Sequence, residues 1–299
     1  MTVCIAARTE GMILLISDRM ITAGDIEFEP PSFKIQQLTT SISMMYSGDS
    51  ALFSEIVQNL IADVRDRVAA EPDNWLRVGD VARLYLKHWN EVRMRRAELE
   101  IFFPLGMTRK EFAESTTKIS PEVLDRIMNK LSGFSMSGLE VIIAGVDQRL
   151  GCPLPSIYHI ADDALMCMDQ TAFVAIGSGA RHAESQLMVA KYFWGVPNGD
   201  ALLLTYSAKR SSEVAPGVGR ETDIVVIGPN VGQTNILPDR LKKKIEIEYQ
   251  RILKKDEVSR RKARDAITAY LEDPKNKPVQ APQTASIAGT AISSEGSTN

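Results

Sequence analysis

Four residues near the start of the chain are of types that do chemistry together: Thr2, Asp18, Lys34 and Gly48. Thr2 follows Met1, and a residue this small normally permits removal of the initiator methionine. The chain would then begin with a hydroxyl and a free α-amine on one residue. An α-amine with an unperturbed pKa of about 7.7–8.0 can take the hydroxyl proton near neutral pH, so nucleophile and base share a single residue. Such a nucleophile needs a cation beside its oxygen, an acid to hold the cation, and a backbone N–H facing the developing oxyanion. Lys34, Asp18 and Gly48 are candidates for those three parts. Taken singly, each has a plainer reading: Asp18 as a turn cap, Lys34 as a solvated strand lysine, Gly48 as the residue a tight loop requires.

These residues need elements to hold them. Apolar runs at 3–7 and 12–17, separated by Thr9-Glu10-Gly11, predict a hairpin with Asp18 at its end. A second strand pair is expected at 33–38 and 41–46, with Lys34 on the face opposite Phe33 and Ile35. Ser47-Gly48-Asp49 then opens a helix carrying Leu52, Phe53, Ile56, Val57 and Leu60 at helical spacing, and a second helix follows from Val78 to about Arg96. Strands return at 139–146, 156–161 and 172–176, then two helices at 180–192 and 199–212, and a strand at 223–227. Helices paired between groups of strands argue against simple βαβ alternation. Two facing sheets with helical layers outside satisfy the order.

The chain has 299 residues, 44% hydrophobic and 24% charged, with a net charge of −3. With a pI near 5.8, it offers no footprint for nucleic acid or an anionic membrane surface. Its apolar runs are too short to span a bilayer, and no signal-peptide pattern opens it, so a cytoplasmic protein is expected. Cys4, Cys152 and Cys167 leave an odd thiol, which fits reduced side chains. His88, His159 and His182 show no metal-ligand spacing, so neither metal nor cofactor is expected. Ser178 lacks the flanks of a nucleophile elbow, and Cys4 reads as core.

The segment from Thr2 through Ser17-Asp18 and Lys34 to Ser47-Gly48 resembles the catalytic β-type subunits of the proteasome family, including the bacterial HslV peptidase. The resemblance continues at Ile143-Ala144-Gly145-Val146-Asp147 and at Phe173 through Gly179, and covers roughly 2–97 and 139–229. It implies an α+β fold of the N-terminal nucleophile hydrolases: a four-layer αββα sandwich of two antiparallel sheets between helical layers. It implies Thr2, Asp18, Lys34 and Gly48 as catalytic residues, with Ser178 bonded to the terminal amine. Thr22 would pair with the substrate backbone, and Ser32, Tyr46 and Ser50 would flank the pocket. A threonine endopeptidase follows, acting on peptide or unfolded-protein substrates within a homo-oligomeric ring, with an ATPase unfoldase as regulator. An inactive ring-forming scaffold and an amidase acting on a small amide are the alternatives.

Three departures accompany the resemblance. Family members carry an Asp-x-x-Ser-Gly arrangement late in the chain, where Glu213-Val214-Ala215-Pro216-Gly217 stands here, and Pro216 has no hydroxyl to donate. Residues 98–138 form a helical insert within the expected domain at 2–236. Residues 237–273 form a charged helical extension, and 274–299, rich in Pro, Ser, Thr and Ala, are expected to be a disordered tail.

Overall fold

Strands that bury both faces should read as nearly continuous apolar runs, with alternate residues serving different cores. The computed structural model shows this pattern. It describes residues 2–273, apart from 24, 25, 32, 73, 137, 150, 151 and 162. The expected tail at 274–299 lies outside the described residues, as does the pocket residue Ser32.

The architecture is α+β, with antiparallel sheets. The first sheet contains β1 (Cys4–Arg8), β2 (Ile13–Asp18), β10 (Phe173–Ile176), β11 (Thr222–Ile227) and β12 (Thr234–Ile236), in the order β10-β1-β2-β11-β12. The second contains β5 (Ile35–Gln37), β6 (Ile42–Gly48), β7 (Leu139–Arg149), β8 (Cys152–Ala161) and β9 (Ala164–Cys167), in chain order. A small hairpin, β3 (Ile21–Ala23) with β4 (Ile26–Phe28), stands apart from both.

Three apolar clusters follow the two-residue period. Cys4 and Ala6 of β1, Met45 of β6, and Ile142 and Ala144 of β7 share one cluster with residues of both sheets. The intervening Val3, Ile5 and Ala7 pack instead with residues of α5 (Ala180–Val189) and α6 (Asn198–Ser212). On the second sheet Met44, Val141 and Ile143 pack with α1 (Ser50–Ala70) and α2 (Val78–Ala97). Each helix pair thus shares an apolar cluster with one of the sheets, and a third cluster draws on both sheets.

The 98–138 stretch holds α3 (Arg109–Ser115) and α4 (Pro121–Ser132) around its own small cluster of Ile101, Phe102, Phe112 and Ile127. Thr108 and Glu111 cap α3 reciprocally. The chain divides into two compact units, one through Ile247 and one from Glu248 onward. The final helix is α7 (Asp239–Glu272); in its second-unit part, exposed ion pairs such as Arg251–Glu248 and Arg260–Asp256 alternate with exposed apolar residues such as Ile252, Val258 and Ile267.

Candidate active site

Strand register brings the start of β1 to the chemistry. Thr9 closes the β1–β2 turn by accepting from the Met12 N–H through its hydroxyl, at 3.1 Å. That turn fixes the pairing Cys4↔Ser17. One step further along, the Asp18 N–H donates to the Val3 carbonyl at 3.2 Å. On the other edge of β1, Cys4 pairs with Ile176, and continuing that register leads from Thr2 toward Ser178. The Thr2 main-chain N–H donates to Ser178 Oγ at 3.3 Å, and Ser178 Oγ donates to the Thr2 carbonyl at 3.3 Å. The Thr2 nitrogen is here the amide joined to Met1, standing where a terminal amine would be.

Asp18 is fully buried and Thr2 nearly so. The Thr2 hydroxyl donates to Asp18 Oδ1, and Lys34 Nζ donates to Thr2 Oγ1. Lys34 Nζ also meets Asp18 Oδ1 at 2.8 Å. The carboxylate accepts three backbone N–H groups as well: Val3 at 3.0 Å, Met20 at 3.1 Å and Gly219 at 2.9 Å. A buried carboxylate with this many donors is held in one orientation, and the ammonium compensates its charge.

Lys34 departs from expectation in one respect. It lies immediately before β5, not within a strand running from Phe33. The β5–β6 ladder begins at Ile35↔Met45, and the Lys34 side chain leaves it to reach β1 and β2 of the other sheet. Phe33 helps hold this turn, because the Arg19 guanidinium lies 5.2 Å from the centre of its ring. Arg19 is itself held by a double hydrogen bond to the buried Asp223 carboxylate.

Gly48 ends β6, and Asp49 then caps α1 by accepting from the Ala51 and Leu52 N–H groups. Gly48 has φ of +117°, and a Cβ there would lie 1.6 Å from the Gly138 carbonyl oxygen. No other residue fits this junction. A cavity of about 100 Å³ opens here, lined by Thr2, Thr22, Lys34, Tyr46, Gly48 and Ser50, with Met20, Ile21 and Ser47. Tyr46 stacks on Phe53, their ring centres 3.7 Å apart. Asp18 and Ser178 stand behind this lining and touch Thr2. The Thr22 hydroxyl oxygen is buried with no partner among the described residues.

Cys4, two residues from Thr2, is fully buried, and burial pushes its thiol up to about 12. It stays protonated and serves as core. All three cysteines are free thiols.

Several contributors were not visible in the sequence. Gly219 supplies an N–H to Asp18 across 201 positions of chain. Glu140 accepts from the Gly177 N–H at 3.1 Å, steadying the turn that carries Ser178. Pro216 takes part through its carbonyl, which lies 3.3 Å from Ser178 Oγ and shares that single hydroxyl proton with the Thr2 carbonyl. Lys209 is fully buried beside the same loop. The one available signal was the Lys209–Glu213 spacing of four on a helix, which normally reads as a solvated pair.

Neither a known protein-family model nor a curated protein matches this chain. Among the described residues, no helix is long and apolar enough to cross a membrane.

Proposed function

We propose that this chain is a threonine peptidase of the proteasome β type, built as a four-layer αββα sandwich and working with Thr2 at its N-terminus. The observation that carries the reading is the contact of Lys34 Nζ and the Asp18 carboxylate with the same oxygen, Thr2 Oγ1, at the wall of a cavity. A lysine and an aspartate converging on a hydroxyl are what a nucleophile requires, and a merely structural threonine needs neither.

The reaction follows from those parts. The Thr2 hydroxyl proton passes to the α-amine as Oγ1 attacks the peptide carbonyl. Lys34 stabilises the oxygen as its negative charge grows, and Asp18 holds Lys34. The Gly48 N–H is assigned to the oxyanion. The amine then passes the proton to the departing nitrogen as the C–N bond breaks, leaving an ester on Thr2. Water, deprotonated by the same amine, hydrolyses the ester. Ser178, bonded to the Thr2 nitrogen, keeps the amine's lone pair turned toward the hydroxyl.

Peptides or unfolded proteins are the proposed substrates, and a cytoplasmic homo-oligomeric ring fed by an ATPase unfoldase is the proposed setting. Intact-mass measurement of active protein tests the central step, and the expected mass lacks Met1. Treatment with a peptide epoxyketone, which reacts with hydroxyl and neighbouring amine together, should then add one inhibitor per chain at Thr2. Active protein retaining Met1 would overturn the mechanism.

The cavity of about 100 Å³ supports a second reading, hydrolysis of a small amide by the same nucleophile. It holds one small side chain, well below the volume of about 300 Å³ at which drug-sized ligand pockets begin. A substrate panel separates the two: a peptidase cleaves longer peptides faster, whereas a small-amide hydrolase loses activity as the peptide lengthens.

A further inference from the structure

Lys209 carries a positive charge where charge is costly. It is fully buried near the end of α6, and it is not among the residues lining the cavity at Thr2. Its ammonium donates to Glu213 Oε1 at 2.6 Å, the Gly219 carbonyl at 3.0 Å and the Arg220 carbonyl at 2.8 Å. All three ammonium protons are therefore used. Burial draws its proton affinity below that of an ordinary lysine, and the Glu213 carboxylate pulls the other way. Arg210 also faces Glu213, at 2.9 Å, so the carboxylate is shared by two cations.

The segment that Lys209 grips is the one that reaches the site. Gly219 donates its N–H to Asp18 Oδ2, and the Pro216 carbonyl accepts from Ser178 Oγ. Both groups that flank Thr2 are thus touched by one loop, 213–220. Its backbone bonds are few: the Glu213 N–H to the Arg210 carbonyl and the Ala215 N–H to the Ser212 carbonyl tie it to the end of α6, and the Val218 N–H to the Ala215 carbonyl lies within it. Gly217 turns it with φ of +70°. A loop this loosely self-bonded would not by itself hold a donor on a buried carboxylate.

We propose that Lys209 is a positioning residue for the site: by joining Glu213 to the Gly219 and Arg220 carbonyls it holds the 213–220 loop, and through Gly219 it holds Asp18 against Thr2 and Lys34. The inference rests on reading Thr2 as the nucleophile. It gives the late Glu-Val-Ala-Pro-Gly segment a role that depends on backbone groups and a buried lysine instead of a serine hydroxyl.

The test is Lys209→Met, which keeps an unbranched side chain of nearly the same length and removes its charge and its three N–H donors. Hydrogen exchange read by mass spectrometry should show protection in 213–220 falling about 10-fold or more, with the strands elsewhere unchanged. Turnover per active site, counted with the epoxyketone, should lose about 100-fold in kcat, because small misplacements of catalytic groups cost that much. KM should stay within about 2-fold, since Lys209 touches no substrate. A general loss of stability would lower the number of active sites but not the turnover of each. Glu213→Gln keeps the shape and should give the same pattern more weakly, and it carries the test if Lys209→Met fails to fold. Unchanged protection in 213–220, unchanged kcat, or a loss confined to KM would overturn the proposal. If the wild-type protein cleaves no peptide, the peptidase reading fails, and the exchange measurement still decides whether Lys209 holds the loop.

Discussion

Lys34→Met removes the cation from the centre of the site, and the structure sets the size of the effect. The ammonium lies 2.8 Å from Asp18 Oδ1, with the lysine side chain only 12% exposed and the aspartate fully buried. At an effective dielectric of about 20, two charges at that distance attract by about 6 kcal/mol. Most of this is offset by the cost of taking both from water. Asp18 also retains the Val3, Met20 and Gly219 N–H donors after the substitution. A net stability loss of about 1–3 kcal/mol is therefore expected. At about 2–4 °C per kcal/mol for a unit of this size, the melting temperature should fall by about 2–12 °C. Activity should fall much further. The ammonium donates directly to Thr2 Oγ1, and losing a donor aimed at the negative charge that develops on this nucleophile oxygen should cost about 100- to 1,000-fold in kcat, the scale of one lost electrostatic donor in an active site. Circular dichroism melts and kcat/KM on a fluorogenic peptide at pH 7 measure the two effects separately. A variant with kcat/KM within about 3-fold of wild type, or one labelled by the epoxyketone at the wild-type rate, would refute the role given to Lys34.

Gly48→Ala should destabilise the first unit by roughly 3 kcal/mol or more, because its left-handed backbone is strained for alanine and the new methyl meets the Gly138 carbonyl. An unchanged melting temperature would refute this. Thiol titration of the native protein at pH 8 should find Cys152 and Cys167, both exposed, reactive and Cys4 silent; full reaction of Cys4 would contradict its burial. The thiol of Cys4 ionises near 9.0 when free and near 12 when buried. The folded state therefore binds more protons between those values, and stability should fall as pH rises through that window, by up to about 1.4 kcal/mol per unit. Urea titrations at pH 8 and pH 10.5 check the sign, and equal or greater stability at pH 10.5 would refute it. Sedimentation velocity should find a homo-oligomer well above a dimer; a fully active monomer would remove the enclosed-ring part of the proposal.

Much of the scaffold was legible in the residues because its signals are local. Apolar runs at 3–7 and 12–17 with a turn between them become β1 and β2, and the Asp49 cap with its helical spacing becomes α1. The candidates Asp18 and Gly48 stand out for the same reason, since each ends a strand, and Thr2 lies just before β1. The β3–β4 hairpin is less legible, since Ile26, Glu27 and Phe28 are exposed and bury no face that would impose a clear period. The placement of Lys34 just outside its strand depends on Asp18 and Thr2 of the other sheet, to which no pattern within residues 33–38 points.

The loop at 213–220 belongs wholly to tertiary structure. By sequence Lys209 and Glu213 are an ordinary helical pair, and Pro216 is a missing hydroxyl. In the fold the lysine is buried, the proline acts through its carbonyl, and Gly219 reaches a carboxylate 201 residues away. Periodicity specifies which face of an element is apolar, and so determines the strands, the helices and the residue types available at their ends. Which ends meet is decided by packing the two sheets and the helices around shared apolar clusters. Hydrogen bonds between residues far apart in sequence form only once that packing has excluded water from Asp18 and Lys209.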